Sequence, residues 1–241
     1  MSDALIVETT QPNTTQGSVT LSKEQIRQRI AWRVAQEMQD GDVVNLGIGL
    51  PTMVANQITC DIELLFQAEN GLLGVGHFAQ DDEKDPDLVN AGGQPITAVD
   101  GCCYFSSADS FAIIRGGHVD ITVLGALEVD QHGNLANWII PGKMVPGMGG
   151  AMDLVVGAKK VIIAMEHTVK GKAKLLSECT LPLTAAKQVD MIVTEMGVFE
   201  ITEQGMMITE LAPEFSLEQV QAATEAPLLI ATPLIAMPLA N

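Results

Sequence analysis

Short apolar runs, each cut off by a glycine or a charged turn, limit what this chain can become more than any other feature of it. VVNL (43–46), VDITVLGAL (119–127), KVIIAM (160–165) and MIVTEM (191–196) are strand-length and rich in β-branched residues. In Val161–Met165 the apolar residues run without polar alternation. A strand with one wet face alternates; a strand covered on both faces does not. Such strands need helices on either side, which predicts an α/β protein with a mainly parallel sheet. IELLF (62–66) and PITAV (95–99) read as further strands, LANWII (135–140) as another, and VFEIT-EQG-MMITEL (198–211) as a small antiparallel hairpin.

The covering helices announce themselves by their caps. Ser22 and Gln25 form a capping-box pattern, followed by an apolar stripe of Ile26, Ile30, Val34 and Met38 with Ala31 and Ala35 beside it. Arg27, Arg29 and Arg33 fall largely off that stripe. Gly41-Asp42 ends the helix, and Pro51 is placed to start a second, PTMVANQI. Ser106 or Ser107 caps ADSFAIIR, which Gly116-Gly117 stops, and Ser216 with Gln219 caps LEQVQAAT. The segment 141–153, PGKMVPGMGGAMD, reads as a long Gly/Pro loop, and QDDEKDPD (80–87) as an exposed one. No linker or internal repeat divides the chain. The expectation is a flexible tail over 1–20 and one domain over 21–241.

A net charge of −17 argues against nucleic acid and against anionic membrane surfaces. No signal segment is recognisable, and the apolar stretch nearest to a span, APLLIATPLIAMPLA (226–240), is interrupted by prolines. The four cysteines, Cys60, Cys102, Cys103 and Cys179, make no C-x-x-C pair, so reduced thiols in a cytoplasm are expected. His77, His118, His132 and His167 are scattered without metal-ligand spacing, and no G-x-S-x-G elbow or P-loop occurs. Six of the thirteen basic residues, Lys143, Lys159, Lys160, Lys170, Lys172 and Lys174, fall within 143–174, a candidate field for an anionic ligand or simply a solvated face.

The candidate chemistry lies in QAENGLLGVG (67–76). Glu69 stands at the end of a strand on an Asn70-Gly71 turn, a poor position for an idle charge. A free carboxylic acid, with a pKa of about 4.3, is ionised at neutral pH and can attack an acyl centre without a general base. It needs a fixed position and donors for the oxyanion. The glycine loops GIGLPT (47–52) and GMGGAMD (147–153) offer backbone N–H groups of that kind, though they lack the full dinucleotide fingerprint. On the residues alone, capping a neighbouring helix or pairing with a lysine is the plainer reading of Glu69.

Six longer stretches carry a resemblance: DGDVVNLGIGLPTMVAN, ENGLLGVG, DPDLVNAGGQP, SFAIIRGGHVD, LANWIIPGKMVPGMGGAMDLV and KVIIAMEHTVKGKAKLLSECTLPLT. In this order, from about Ser22 to Leu211, they resemble the beta subunit of class I, or 3-oxoacid, CoA-transferases, nearest to the acetate/butyrate–acetoacetate type. The resemblance implies a CoA-transferase/NagB-like fold and transfer of CoA between an acyl-CoA and a short-chain carboxylic or 3-oxo acid. The family's catalytic glutamate lies in Q-S-E-N-G; Glu69 matches it, and Ala68 replaces the serine. A ping-pong route through a glutamyl-CoA thioester on Glu69 is implied, with Gly149, Gly150 and Ala151 as the oxyanion loop. Gly47 and Gly49 are expected to add donors, and Asn70 and Gly71 to hold the turn. Coenzyme A is expected as substrate, with no permanently bound cofactor and no metal. The implied partner is an alpha subunit, in a heterotetramer. An acyl-CoA hydrolase using the same glutamate, or a non-catalytic subunit, are the alternatives.

Overall fold

A computed structural model describes residues 21–143 and 147–239. The expected tail over 1–20, the centre of the 141–153 loop and the last two residues lie outside the described residues. Helix α1 (Lys23–Ala35) opens with the Ser22–Gln25 capping box in place. Strand β1 (Val43–Leu46) leads into a 3-10 helix, Pro51–Gln57, where an α-helix was expected. Strands β2 (Leu65–Ala68), β3 (Leu72–Phe78) and β4 (Ile96–Tyr104) follow. Then come α2 (Ser107–Arg115, capped by Ser106), β5 (Ile121–Leu124), β6 (Glu128–Asp130) and β7 (Leu135–Ala136). Helix α3 (Ala151–Gly157) precedes β8 (Lys160–Ala164), and β9 (Thr168–Val169), β10 (Lys172–Ala173) and β11 (Leu175–Leu176) are short. Strand β12 (Met191–Val193) meets the hairpin β13 (Gly197–Thr202) and β14 (Gly205–Leu211) before α4 (Leu217–Ala223) and β15 (Leu229–Ala236).

Ten strands form one sheet in the order β15-β14-β13-β12-β8-β5-β1-β2-β3-β4. Its centre, β12-β8-β5-β1-β2, is parallel throughout, and antiparallel pairs flank it on both sides. The apolar runs explain why the centre is doubly covered. Along β8, Val161 and Ile163 belong to one apolar cluster, while Ile162 and Ala164 belong to the other. Strand β12 divides in the same way, Ile192 to the first and Met191 and Val193 to the second. Residues from α1 (Ile30, Ala31, Val34, Ala35) complete the second cluster, and residues from α2, α3 and α4 (Ile114, Leu154, Val155, Val220) complete the first. Alternate side chains on a strand point to opposite faces, so α1 covers one face of the sheet and the other three helices cover the other.

Several expectations are corrected. The strand assigned to 62–66 begins only at Leu65 and runs to Ala68, because its partner β1 starts at Val43, which is in register with Leu65. PITAV continues to Tyr104, and an unforeseen strand, β3, joins it to β2; three glycines at 71, 74 and 76 hide its pattern. Helix α3 lies where only loop was expected, and LANWII contributes two strand residues in place of six. Arg33 is not off the buried stripe: it is 6% exposed. Its Nε and Nη2 donate to both carboxylate oxygens of Glu210 on β14 at 2.8 and 2.6 Å, and Nη1 reaches Glu37 at 2.6 Å. Arg29 likewise grips Glu214. The first fastens α1 to the far hairpin, the second to the segment just after it.

The order of the parallel strands places the functional region. Chain order runs outward in both directions from β1, to β2 on one side and to β5, β8 and β12 on the other. The sheet therefore has a topological switch point between β1 and β5, and the crevice outside the carboxyl ends of the strands at such a point is where open α/β sheets bind ligands.

Candidate active site

A cavity of about 690 Å3 opens at that switch point. Its walls include Asn45 to Ile48 at and past the end of β1, Phe66 to Glu69 at the end of β2, Leu124 to Leu127 at and past the end of β5, and Gly147 to Ala151 leading into α3.

Glu69 is the first residue past β2, half-buried on a tight corner. The Gly71 N–H donates to the Ala68 carbonyl at 3.0 Å, and the Gly71 carbonyl accepts from Phe105 N–H at 3.0 Å. Gly71 has φ +124°, and a Cβ there would lie 2.1 Å from the Phe105 carbonyl oxygen, so only glycine fits. The Asn70 side chain donates to the Val89 carbonyl at 2.8 Å. Asn70 and Gly71 thus brace the corner from outside the cavity wall and do not line the cavity. Ala68 is 7% exposed and packs with Leu72 and Ile96. The corner closes through backbone bonds, so the serine hydroxyl that the family pattern carries at this position is not needed to shape it.

Beneath the corner lies a polar network that no sequence motif marks. Asn45 on β1 and Gln67 on β2 are in register and almost fully buried. The Asn45 amide donates to the Gln67 side-chain oxygen at 2.6 Å, and Gln67 Nε2 donates to Ser110 Oγ on α2 at 2.7 Å. Ser110 is fully buried. Gln67 sits two residues before Glu69 on the same strand line, so the network fixes the strand that presents the carboxylate. The available signal was a pair of amides inside otherwise apolar strands.

Opposite Glu69 stands the start of α3. The Gly150 N–H donates to Glu69 Oε1 at 3.0 Å. A Cβ on Gly150 would fall 2.2 Å from Oε2, and one on Gly149 3.3 Å from Oε1, so the loop is in van der Waals contact with the carboxylate only because it lacks side chains. Glu69, Gly149, Gly150 and Ala151 are brought together on one cavity, and Gly47 lines it too. Two expectations about donors change. The Gly47 N–H is already bonded to the Val123 carbonyl at 2.8 Å, and the Ala151 N–H donates to Met148 O at 3.2 Å, so neither faces the carboxylate free. Gly49 stands off the cavity wall; its carbonyl accepts from Thr52 Oγ1 at 2.8 Å.

The lysine-rich segment does not form one field. Lys159 pairs with Asp120 at 2.6 Å and Lys160 with Glu37 at 2.7 Å, while Lys170 and Lys172 lie at the β9–β10 hairpin. None of the chain's thirteen Lys and Arg residues, all of them among the described residues, lines the large cavity. His167 is fully buried between Thr194 Oγ1 at 3.0 Å and Thr224 Oγ1 at 2.9 Å, and burial, with Lys174 nearby, pushes its pKa down to about 4. It is a neutral tether between β8 and β9. Among the described residues no helix is long and apolar enough to cross a membrane.

The sequence pattern of the coenzyme A transferase family matches residues 27–223. The beta subunit of the acetate CoA-transferase of Escherichia coli K12 is 59% identical over 201 residues, covering 83% of this chain and 92% of that protein. One subunit of the succinyl-CoA:3-ketoacid coenzyme A transferase of Helicobacter pylori 26695 is 52% identical over 202 residues, 83% of this chain and 97% of that one. Among solved structures, the acyl-CoA transferase apoenzyme of Escherichia coli O157:H7 superposes with a TM-score of 0.73 at 24% identity, over 92% of this chain and 45% of that longer chain, a likeness of fold.

Proposed function

Since the chain belongs to the coenzyme A transferase family as a CoA-transferase subunit of the beta type, we propose that it transfers CoA between an acyl-CoA and a short-chain carboxylic or 3-oxo acid through a thioester formed on Glu69. The contact that carries this reading is the hydrogen bond from Gly150 N–H to the Glu69 carboxylate. In the first step a Glu69 oxygen attacks the thioester carbonyl. The C–S bond breaks, leaving an acyl-glutamyl anhydride and CoA thiolate. The thiolate then adds to the glutamyl carbonyl and expels the acid as its carboxylate, leaving glutamyl-CoA. An acceptor carboxylate reverses both steps.

During thiolate addition the negative charge develops on a carboxyl oxygen of Glu69 itself. A donor already 3.0 Å from that oxygen needs no reorganisation when the charge appears. Gly149 and Gly150 are assigned this role. Gly47 lets the end of β1 pass close to Leu124 on the cavity wall, and Asn70 and Gly71 fix the corner. Because no Lys or Arg of this chain reaches the cavity, the wall supplied here suits small monocarboxylic acids such as acetate, butyrate or acetoacetate better than an acid with a second carboxylate. The assembly is taken to pair this chain with an alpha subunit, as a heterotetramer in the cytoplasm, with coenzyme A as substrate.

Incubation of the protein, with its second subunit, with acyl-CoA alone should add CoA to the peptide containing residue 69, read by mass spectrometry. Glu69→Ala should abolish both adduct and transfer. Transfer retained by Glu69→Ala would overturn the assignment, and CoA release without an acceptor acid would turn it into a hydrolase.

A further inference from the structure

A second, smaller cavity of about 350 Å3 adjoins the first, and Gly125 and Ala126 line both. It sits outside the carboxyl end of β8, where Ala164, Met165 and Glu166 leave the sheet. Its charge is opposite to that of the molecule. Lys23 and Arg27 from α1 and Lys174 after β10 line it, against a single carboxylate, Glu166, so the lining is +2 inside a chain of −17.

The three cations are not spent elsewhere. Among the described residues none of them belongs to an ion pair, whereas Arg29, Arg33, Lys159 and Lys160 all do. Arg27 Nε is enclosed and has no acceptor among the described residues, an orphan donor of a kind that folded proteins rarely leave. Lys174 is half-buried, and burial lowers its pKa to about 8, partly offset by the fields of Glu166 and Glu195. It is therefore a cation held at a cost in a concave site. Thr168 adds a hydroxyl to the wall.

We propose that this cavity is a phosphate-binding site, with Arg27 and Lys174 as its principal ligands and Lys23 at its mouth. Charge selects phosphate over carboxylate. A phosphate monoester carries about −1.5 to −2 at neutral pH, which matches the lining, while a carboxylate would leave one positive charge unneutralised. Arg and Lys are also the side chains that bind phosphate oxygens by charge-assisted hydrogen bonds. The phosphate can be free inorganic phosphate or one carried by the coenzyme; the second source rests on the CoA-transferase reading above, and the first does not.

The test is calorimetric titration of the full chain with inorganic phosphate, and with acetate as the monoanionic comparison. Saturable phosphate binding is expected, at least tenfold weaker in Arg27→Gln and in Lys174→Met, retained in Lys174→Arg, and unchanged in Lys84→Gln. Circular dichroism confirms that each variant is folded. Competition then identifies the source: displacement of phosphate by CoA but not by pantetheine assigns it to the coenzyme, and phosphate binding undisturbed by CoA assigns it to the free ion. No phosphate binding by the parent chain, or binding equally strong in Arg27→Gln and Lys174→Met, overturns the proposal. Glu69→Gln should bind phosphate normally, so failure of this site and failure of the Glu69 chemistry are separately visible.

Discussion

The backbone N–H of Gly150 reaches the carboxylate of Glu69 at 3.0 Å across 81 positions of sequence. The contact joins the corner after β2 to the start of α3, two elements that lie on opposite sides of the switch-point cavity. A methyl group at residue 150 would lie 2.2 Å from the other carboxylate oxygen. Gly150→Ala should therefore displace Glu69 and remove its donor together. Loss of one such donor typically costs about 10²–10³-fold in turnover, ~3–4 kcal/mol. Steady-state kcat in the assembled enzyme is the measurement, with the amount of CoA adduct on residue 69 as the companion readout. Unchanged kcat would mean that this N–H is not an oxyanion donor.

Gln67 should matter through Glu69. Replacing it with Leu removes one buried hydrogen bond from the Asn45 amide, which keeps the Gln67 backbone carbonyl at 3.1 Å, and one from the Ser110 hydroxyl, which keeps the Ala68 carbonyl at 3.4 Å. Each lost bond costs about 0.5–1.5 kcal/mol of stability, measurable by urea denaturation. Turnover should fall more than KM changes, because the cavity lining is kept while the corner loses its footing. A double replacement, Asn45→Leu with Gln67→Leu, should be no worse in stability than the sum of the two single changes, and better if the pair is the unit.

The fork from Arg33 to Glu210 is 177 residues long in sequence and is buried at both ends. Arg33→Met leaves Glu210 charged without its partner, and breaking a buried pair in this way costs about 3–5 kcal/mol. Glu37 keeps Lys160, so it does not share the whole loss. Adding Glu210→Leu should restore most of the stability. Denaturation midpoints of the single and double variants decide this.

Acid should weaken the fold through His167 before the carboxylates are reached. Its pKa is 6.5 in the unfolded reference and about 4 when folded, so below 6.5 the unfolded chain binds the proton more readily. Stability therefore falls as pH drops from 6.5 towards 4, by up to ~3 kcal/mol, and this contribution levels off below 4. Glu37 and Glu214, whose pKa values are lowered overall, add their losses only below about 4.5. Glu195 is shifted the other way, by burial first, and opposes the trend. The difference between the parent and His167→Gln, followed by thermal melts from pH 7 to 5, isolates the histidine: the parent should be the steeper of the two.

Much of this was legible beforehand, and the failures share a cause. Capping boxes at Ser22 and Ser216 are found where they were read, and the runs at 119–127, 160–165 and 191–196 yield shorter strands within those bounds, Ile121–Leu124, Lys160–Ala164 and Met191–Val193. What could not be read depended on residues far away in sequence. Strand β3 is disguised by glycines that make sense only beside β4, α3 by a glycine loop whose target is Glu69, and Arg33 by a partner on β14. Glu69 drew attention in the sequence because a carboxylate on an Asn-Gly corner is odd by itself. Asn45, Gln67 and Ser110 were not, since an amide in a strand looks like noise until its register partner is known. The loop Gly149 to Ala151 comes from the resemblance and Gly47 and Gly49 from their glycine loop, and only a hydrogen-bond count tells Gly150, whose N–H faces the carboxylate, from Gly47, whose N–H is used within the sheet.

The two neighbouring cavities treat dissolved ions differently. The larger holds a carboxylate and neutral dipoles but no cation, while the smaller gathers Lys23, Arg27 and Lys174. Exposed charges lose most of their attraction beyond a screening length of about 8 Å at physiological ionic strength, and this length shrinks as salt is added. On the assignments proposed above, added salt should weaken phosphate in the small cavity, chiefly through the exposed Lys23, and should not weaken an acid in the large one, which no cation of this chain holds. A salt titration alone would separate the two halves of the molecule's binding surface without altering a single residue.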